Sequence, residues 1–222
     1  MKVTWLGQAG LLFQTESATI LVDPYFSDSA AKVACHRKMP MDPSVWEIKP
    51  DLCLFTHNHI DHFDPETAKH FVNENTEVTV LSPASVWEKI RLQGGKNNFV
   101  RVTPGVIWSH GDVEIQVVPA VHSDDYAVGF VIAHEGKRYY VTGDTLYSQE
   151  VTWSVPESVD VVFLPINGKG NNMNAVDAAK FASEIGAKLA VPVHFGMLDD
   201  VDPKVFVYEN VLIPEIFKEM NL

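Results

Sequence analysis

The sequence predicts a layered α/β fold in a single domain spanning residues 1–222. Three observations predict it: apolar runs rich in β-branched residues recur along the chain, helix-type patterns alternate with them, and 46% of residues are hydrophobic, enough for one sizeable core. Strand candidates at 3–6, 10–15 and 19–22 are separated by turn formers, and a loop over 23–50 follows. The apolar run 52–55 leads directly into Thr56-His57-Asn58-His59-Ile60-Asp61-His62. Asp64-Pro65-Glu66 then reads as a helix N-cap with proline at the first helical position, which puts the histidine cluster in a strand-to-helix loop. Runs at 78–81 and 99–102 flank a helix candidate at 84–92, and runs at 113–119, 127–133 and 138–142 suggest antiparallel strands with Glu135-Gly136-Lys137 as a hairpin turn. A second half follows, with a strand at 159–164, a helical pattern at 175–185 ended by Gly186, and a strand at 188–193 closing on His194.

Charge and composition remove several function classes. Lys plus Arg total 17 against 29 Asp plus Glu, a formal charge of -12, so there is no basic footprint for nucleic acid. No run approaches the roughly 18 apolar residues of a membrane span, and the N-terminus lacks a signal-type apolar segment, so the expected location is cytoplasmic and no membrane partner is expected. Cys35 and Cys53 are too few for a disulfide framework and are expected as free thiols.

The chemistry is concentrated in His57-x-His59-x-Asp61-His62, four potential ligands in six residues at the end of an apolar strand. Imidazole and carboxylate suit zinc, manganese or iron, and burying several such groups together requires a compensating cation. The spacing is not the i, i+4 pair of a helical zinc protease site, so a loop must fold these side chains around a centre. His122, Asp144 and His194 each follow a strand candidate in the same way. His36, His70, His110 and His134 lack that context and are read as ordinary surface or helix residues.

The ordered set of Asp23, the cluster from His57 to His62, His122, Asp144 and His194 resembles the metallo-β-lactamase superfamily over essentially the whole chain. The resemblance implies a four-layer αβ/βα sandwich with metals along one edge. Carried over position by position, it assigns His57, His59 and His122 to one divalent ion, and Asp61, His62 and His194 to a second, with Asp144 bridging both. Asp23 would lie behind the metal loop and orient its histidines or backbone. Trp5-Leu6-Gly7-Gln8-Ala9-Gly10, Thr142-Gly143-Asp144-Thr145, and the stretch from Leu164-Pro165-Ile166-Asn167-Gly168 to Pro192-Val193-His194-Phe195-Gly196-Met197 resemble small metal-dependent hydrolases related to the ascorbate-6-phosphate lactonases.

Two ions, zinc or manganese, would lower the pKa of water from roughly 15.7 toward about 7, so a hydroxide bridging them is the expected nucleophile. Asp61 and Asp144 are the candidate catalytic carboxylates, Asp61 both binding metal and orienting the hydroxide. The expected partner is a small-molecule substrate, an anionic ester, lactone or phosphoester, with homo-oligomerisation left open. Asn167, Lys169 and Asn172, in a loop with Gly168 and Gly170, are the candidate substrate contacts; a flexible solvated loop is the competing reading. Two other functions are weighed against hydrolysis. A diiron redox protein is disfavoured because His59 stands where flavodiiron sites carry Glu, and a non-catalytic metal-binding module is disfavoured because all seven ligands are present.

Overall fold

Side-chain alternation along the strands sorts the core into layers in this computed structural model, which describes residues 1–156 and 158–222. Strands β1 (Lys2–Gly7), β2 (Gly10–Gln14), β3 (Thr19–Val22), β4 (Leu52–Leu54), β5 (Thr79–Ser82) and β6 (Asn98–Arg101) lie in one sheet. The second sheet contains β7 (Ile107–His110), β8 (Val113–Pro119), β9 (Val128–His134), β10 (Lys137–Val141), β11 (Val161–Pro165) and β12 (Leu189–Val193), in the order β12-β11-β10-β9-β8-β7. Strand β13 (Glu219–Met220) returns to the first sheet, whose order is β13-β1-β2-β3-β4-β5-β6.

On the first sheet Leu11, Phe13, Ile20, Val22 and Leu54 belong to the central core, where the Phe13 ring meets Tyr139 and Phe163 edge-on at 6.2 and 5.7 Å. The intervening residues Leu12, Leu21 and Cys53 pack with Phe71 of α1 (Pro65–Phe71) and Val86 and Ile90 of α2 (Ala84–Ile90). The second sheet is layered in the same way. Helix α3 (Gln149–Ser154) packs on β8, while Tyr140 turns its ring away from its neighbour Tyr139 and onto Phe181 of α4 (Ala175–Glu184), 6.2 Å between centroids. The result is helix, sheet, sheet, helix. Each large apolar side chain buried in this way contributes about 1.5–3 kcal/mol, and a one-residue slip in a strand would move its side chains to the opposite layer.

Turn chemistry fixes the register where strands reverse. His134 pairs with Lys137 across Glu135 and Gly136, both at positive φ (49° and 77°), the two-residue hairpin geometry whose twist matches the strands. Asp64 caps α1 by accepting from the Glu66 amide, and also accepts from the Ser29 and Thr67 hydroxyls and the Ser27 amide, tying the long 23–50 loop to the helix. Cys53 is buried and Cys35 exposed, both as free thiols. His36 and His70 are exposed, whereas His134 is a buried strand residue bonded to Asp112 at 3.0 Å. Among the described residues, no helix is long and apolar enough to cross a membrane.

Strand direction places the chemistry. Strands β1, β3 and β4 run the same way in the first sheet, as do β8, β10, β11 and β12 in the second. Gln8, Asp23 and the His57 loop follow the first set, and His122, Asp144, Asn167 and His194 follow the second. The carboxyl ends of strands from both sheets therefore deliver polar residues to one edge, as expected for sites in α/β sheets.

Candidate metal centre

All seven predicted ligands meet at this edge. The ring centroids of His57, His59 and His122 lie 4.6 to 4.7 Å apart, and the His62 and His194 rings stack at 5.3 Å. Asp144 joins the two sets: its Oδ1 lies 3.2 Å from His62 Nε2, and its Oδ2 lies 3.3 Å from His194 Nε2 and 3.9 Å from His122 Nε2. Asp61 Oδ2 is 3.2 Å from His194 Nε2. Donor atoms of His57, His59, His122 and Asp144 all fall within 4.8 Å of one another, and so do those of Asp61, His62 and His194. A third such group, Asp23 with His57 and His62, lies behind them.

The donor set fits a cation. His57 Nε2 is buried without a hydrogen-bond partner, which costs about 1–3 kcal/mol for such a group, and His62 Nε2 and Asp144 Oδ1, also buried and making no hydrogen bond, face only each other at 3.2 Å. Their other polar atoms are held from behind. Asp23 Oδ2 lies 2.7 Å from His62 Nδ1 and accepts from the Thr56 hydroxyl at 2.5 Å, while Asp23 Oδ1 accepts from the Thr56 amide at 2.8 Å. Thr56 Oγ1 also lies 3.0 Å from His57 Nδ1. His122 Nδ1 donates to the Asn171 carbonyl at 3.2 Å, which turns Nε2 toward the cluster. In each ring one nitrogen is tied down and the other presented, the arrangement that fixes a ligating tautomer.

Electrostatics at this edge follows burial and neighbours. Burial lowers the pKa of His57, helped by the surrounding imidazoles, and burial likewise lowers that of His122. Burial also opposes charge on His62 and His194, but Asp144 and the nearby carboxylates outweigh it, raising His62 well above its ordinary value and His194 to about 10. For Asp61 and Asp144 burial favours the neutral acid, and the adjacent His62 and His194 reverse that, holding both carboxyls below their usual range.

A cleft of about 700 Å³ opens beside these groups, lined by Gln8, Lys38, Asp61, Asn172 and His194 among others. The three predicted substrate contacts all line it, with different surroundings. Lys169 is exposed; Asn172 is buried with both amide atoms unpartnered; Asn167 sets its Nδ2 3.1 Å from His194 Nδ1. The 167–174 loop is tied down by Gly168 N to Met173 O, Asn172 N to Lys169 O and Met173 N to Thr145 O, so it is an ordered wall. Sequence reasoning gave no role to Gln8, whose amide nitrogen is 2.8 Å from Asp61 Oδ2, and it read the loop with Asp124 as a pocket wall, whereas Asp124 holds the metal loop by accepting from Asn58 N at 3.0 Å. Gln8 carried one usable signal, a polar residue directly after an apolar strand, the same that marked the ligands.

The comparisons agree with this geometry. The model of the beta-lactamase superfamily domain matches residues 18–195. A UPF0173 metal-dependent hydrolase from Ligilactobacillus salivarius is 30% identical over 213 residues, covering 92% of this chain and 90% of that protein. Two solved structures share the fold: the metallo hydrolase Igni18 from Ignicoccus hospitalis (TM-score 0.79, 20% identity, 99% of this chain and 97% of that one) and an isothiocyanate hydrolase from Delia radicum gut bacteria (TM-score 0.78, 19% identity, 100% and 99%). With its layered sheets, its clustered donors and these matches, the chain belongs to the metallo-β-lactamase superfamily, among that superfamily's metal-dependent hydrolases.

Proposed function

We propose that this protein is a dinuclear hydrolase that cleaves a small anionic ester, lactone or phosphoester. The observation that carries the reading is the convergence of His57 Nε2, His62 Nε2 and Asp144 Oδ1 on one cluster: His57 Nε2 is buried with no partner, and His62 Nε2 and Asp144 Oδ1 face only each other across 3.2 Å, without a hydrogen bond. His57, His59 and His122 would hold one divalent ion and Asp61, His62 and His194 the other, with Asp144 shared; zinc and manganese both suit this nitrogen and oxygen set. When bound, such ions supply Lewis acidity and lower the pKa of water toward about 7. The chain's own residues provide the rest. Asp23 and Thr56 fix the ring orientations, and the Asp61 carboxylate, open to the cleft, accepts a proton from water or orients it. Lys169 and the unpartnered Asn172 amide supply a cation and a donor and acceptor pair at the cleft wall, matched to a charged polar substrate. The cleft volume suits a small molecule.

The test is a hydrolase panel run with the chain reconstituted in zinc and in manganese, alongside elemental analysis. Turnover of an anionic ester or lactone that vanishes on chelation and returns with metal supports the reading. Metal-loaded protein that turns over no ester, lactone or phosphoester overturns it.

A further inference from the structure

Gln8 is a buried polar group of this edge that the proposed chemistry leaves unused. It is 1% exposed and, though not glycine, adopts φ 50°. Left-handed backbone is unfavourable at a non-glycine residue, so the surrounding structure must hold it there. Two bonds to its carbonyl do so, from the Trp5 indole and the His194 amide, each at 2.9 Å. The same residue then reaches forward with its side chain. Gln8 Nε2 lies 2.8 Å from Asp61 Oδ2 and 3.0 Å from His194 Nε2, two of the atoms assigned above to the second ion.

We propose that the Gln8 carboxamide oxygen is an additional donor at the Asp61, His62 and His194 site, and that it makes this site selective for a harder ion than its neighbour. The inference rests on the two-ion reading. A carboxamide presents NH₂ or oxygen by a half-turn of its last torsion, and hydrogen-bond networks alone decide which is drawn toward a neighbour. With Asp61 ionised and no cation, NH₂ toward the carboxylate is favourable. A cation held by the same atoms repels NH₂ and attracts the oxygen, so the half-turn converts Gln8 from a carboxylate partner into a ligand. The donor sets then differ in kind. With Asp144 shared by both, the first site would have three imidazoles and one carboxylate, a nitrogen-rich set suited to zinc, whereas the second would have two imidazoles, two carboxylates and the Gln8 oxygen, an oxygen-rich set suited to manganese or magnesium.

The experiment uses the full chain, stripped with chelator, given one equivalent of zinc and titrated with Mn²⁺, with bound manganese read by electron paramagnetic resonance and retained zinc by elemental analysis. Wild type is expected to retain the zinc and bind one Mn²⁺ per chain. Gln8→Leu is expected to weaken Mn²⁺ binding by about 10–100-fold with zinc retained. Gln8→Glu, nearly isosteric and carrying a charged oxygen donor, is expected to tighten Mn²⁺ binding by about tenfold or more, and it decides the matter if Gln8→Leu does not fold. Unchanged Mn²⁺ affinity in either folded variant, or equal loss of zinc and manganese in Gln8→Leu, overturns the inference while leaving two bound ions in wild type. A wild-type chain that takes up one ion in total overturns the two-ion reading and this inference together.

Discussion

The Asp23 carboxylate has no exposed surface, and its oxygens are divided between the Thr56 amide and hydroxyl and the His62 ring. Its influence on the site must therefore pass through His62 and, by way of Thr56, His57. Asp23→Ala is expected to weaken metal binding by about 10–100-fold, the usual loss when a group supporting a ligand is removed. Competition against a chelator measures it, and wild-type affinity would rule out the positioning role. Lys169 presents the opposite case, an exposed cation at the cleft rim. Used equally in ground and transition states, it would raise KM on substitution with alanine while kcat stays near wild type, whereas an equal response on an uncharged analogue would remove the anion contact. Protonation supplies a third test at this scale. In the metal-free chain burial disfavours the charged imidazoles, yet Asp144 and its neighbours raise His62 above its ordinary value and His194 to about 10. Because these folded values are raised, the protons stabilise the metal-free fold fully below the unfolded imidazole pKa near 6.5, and that contribution is lost as pH rises toward about 10. Cations compete with those protons, so zinc affinity should increase with pH over the same window, by about tenfold per unit for each proton displaced. A flat profile between pH 6 and 8 would mean that neither imidazole changes protonation on binding.

At the scale of the element, the connection from β10 to the site turns on Gly143. Its φ is 61°, and a Cβ there would stand 2.7 Å from the Thr56 Cβ, on the residue that links Asp23 to the histidine loop. Gly143→Ala is expected to lower stability by more than about 2 kcal/mol, combining left-handed strain with a clash that no flexible side-chain end can relieve. Urea denaturation would show it, and a loss under 1 kcal/mol would mean that the two loops separate easily. Elements with strong local signals were legible in the sequence. Asp64 and Pro65 announced α1, Glu135-Gly136 announced its hairpin, and the ligands could be picked out because the His57 loop, His122, Asp144 and His194 each come within a few residues of the end of an apolar strand. Elements whose order comes from tertiary contact were not. Strand β7 is a half-buried edge, α3 is six residues with only Val151 and Thr152 buried, and β13 is a two-residue pairing against Val3 and Thr4. Gln8 went unassigned for a related reason: an uncharged amide declares its role only once Asp61 and His194, 53 and 186 residues away in sequence, are brought to it.

Across the whole molecule the proposed metal centre is a seam between the sheets. Gln8, Asp23 and the His57 to His62 loop come from the first sheet, and His122, Asp144 and His194 from the second, so each ion would be bound by residues from both. The seam also concentrates left-handed backbone, with Gln8, Asp23, Asn171 and His194 all at positive φ although none is glycine. Buried donors without partners and strained backbone both destabilise the metal-free chain, and ions that bind only the folded state offset them. At free metal a thousand times above Kd, one site contributes about 4.1 kcal/mol. For a chain of this size each kcal/mol moves Tm by about 2–4 °C, so a single site predicts a rise of roughly 8–16 °C over the chelated protein, and two sites a larger one. Because both sheets supply ligands, the shift should appear as one cooperative transition moving intact, followed by calorimetry across a metal titration. His194→Ala should keep the ion held by His57, His59 and His122 and lose the other, leaving about one equivalent where wild type holds two and a correspondingly smaller rise in Tm. A wild-type chain that saturates at one equivalent, with His194→Ala indistinguishable from it, would show that the sheets are joined through a single ion.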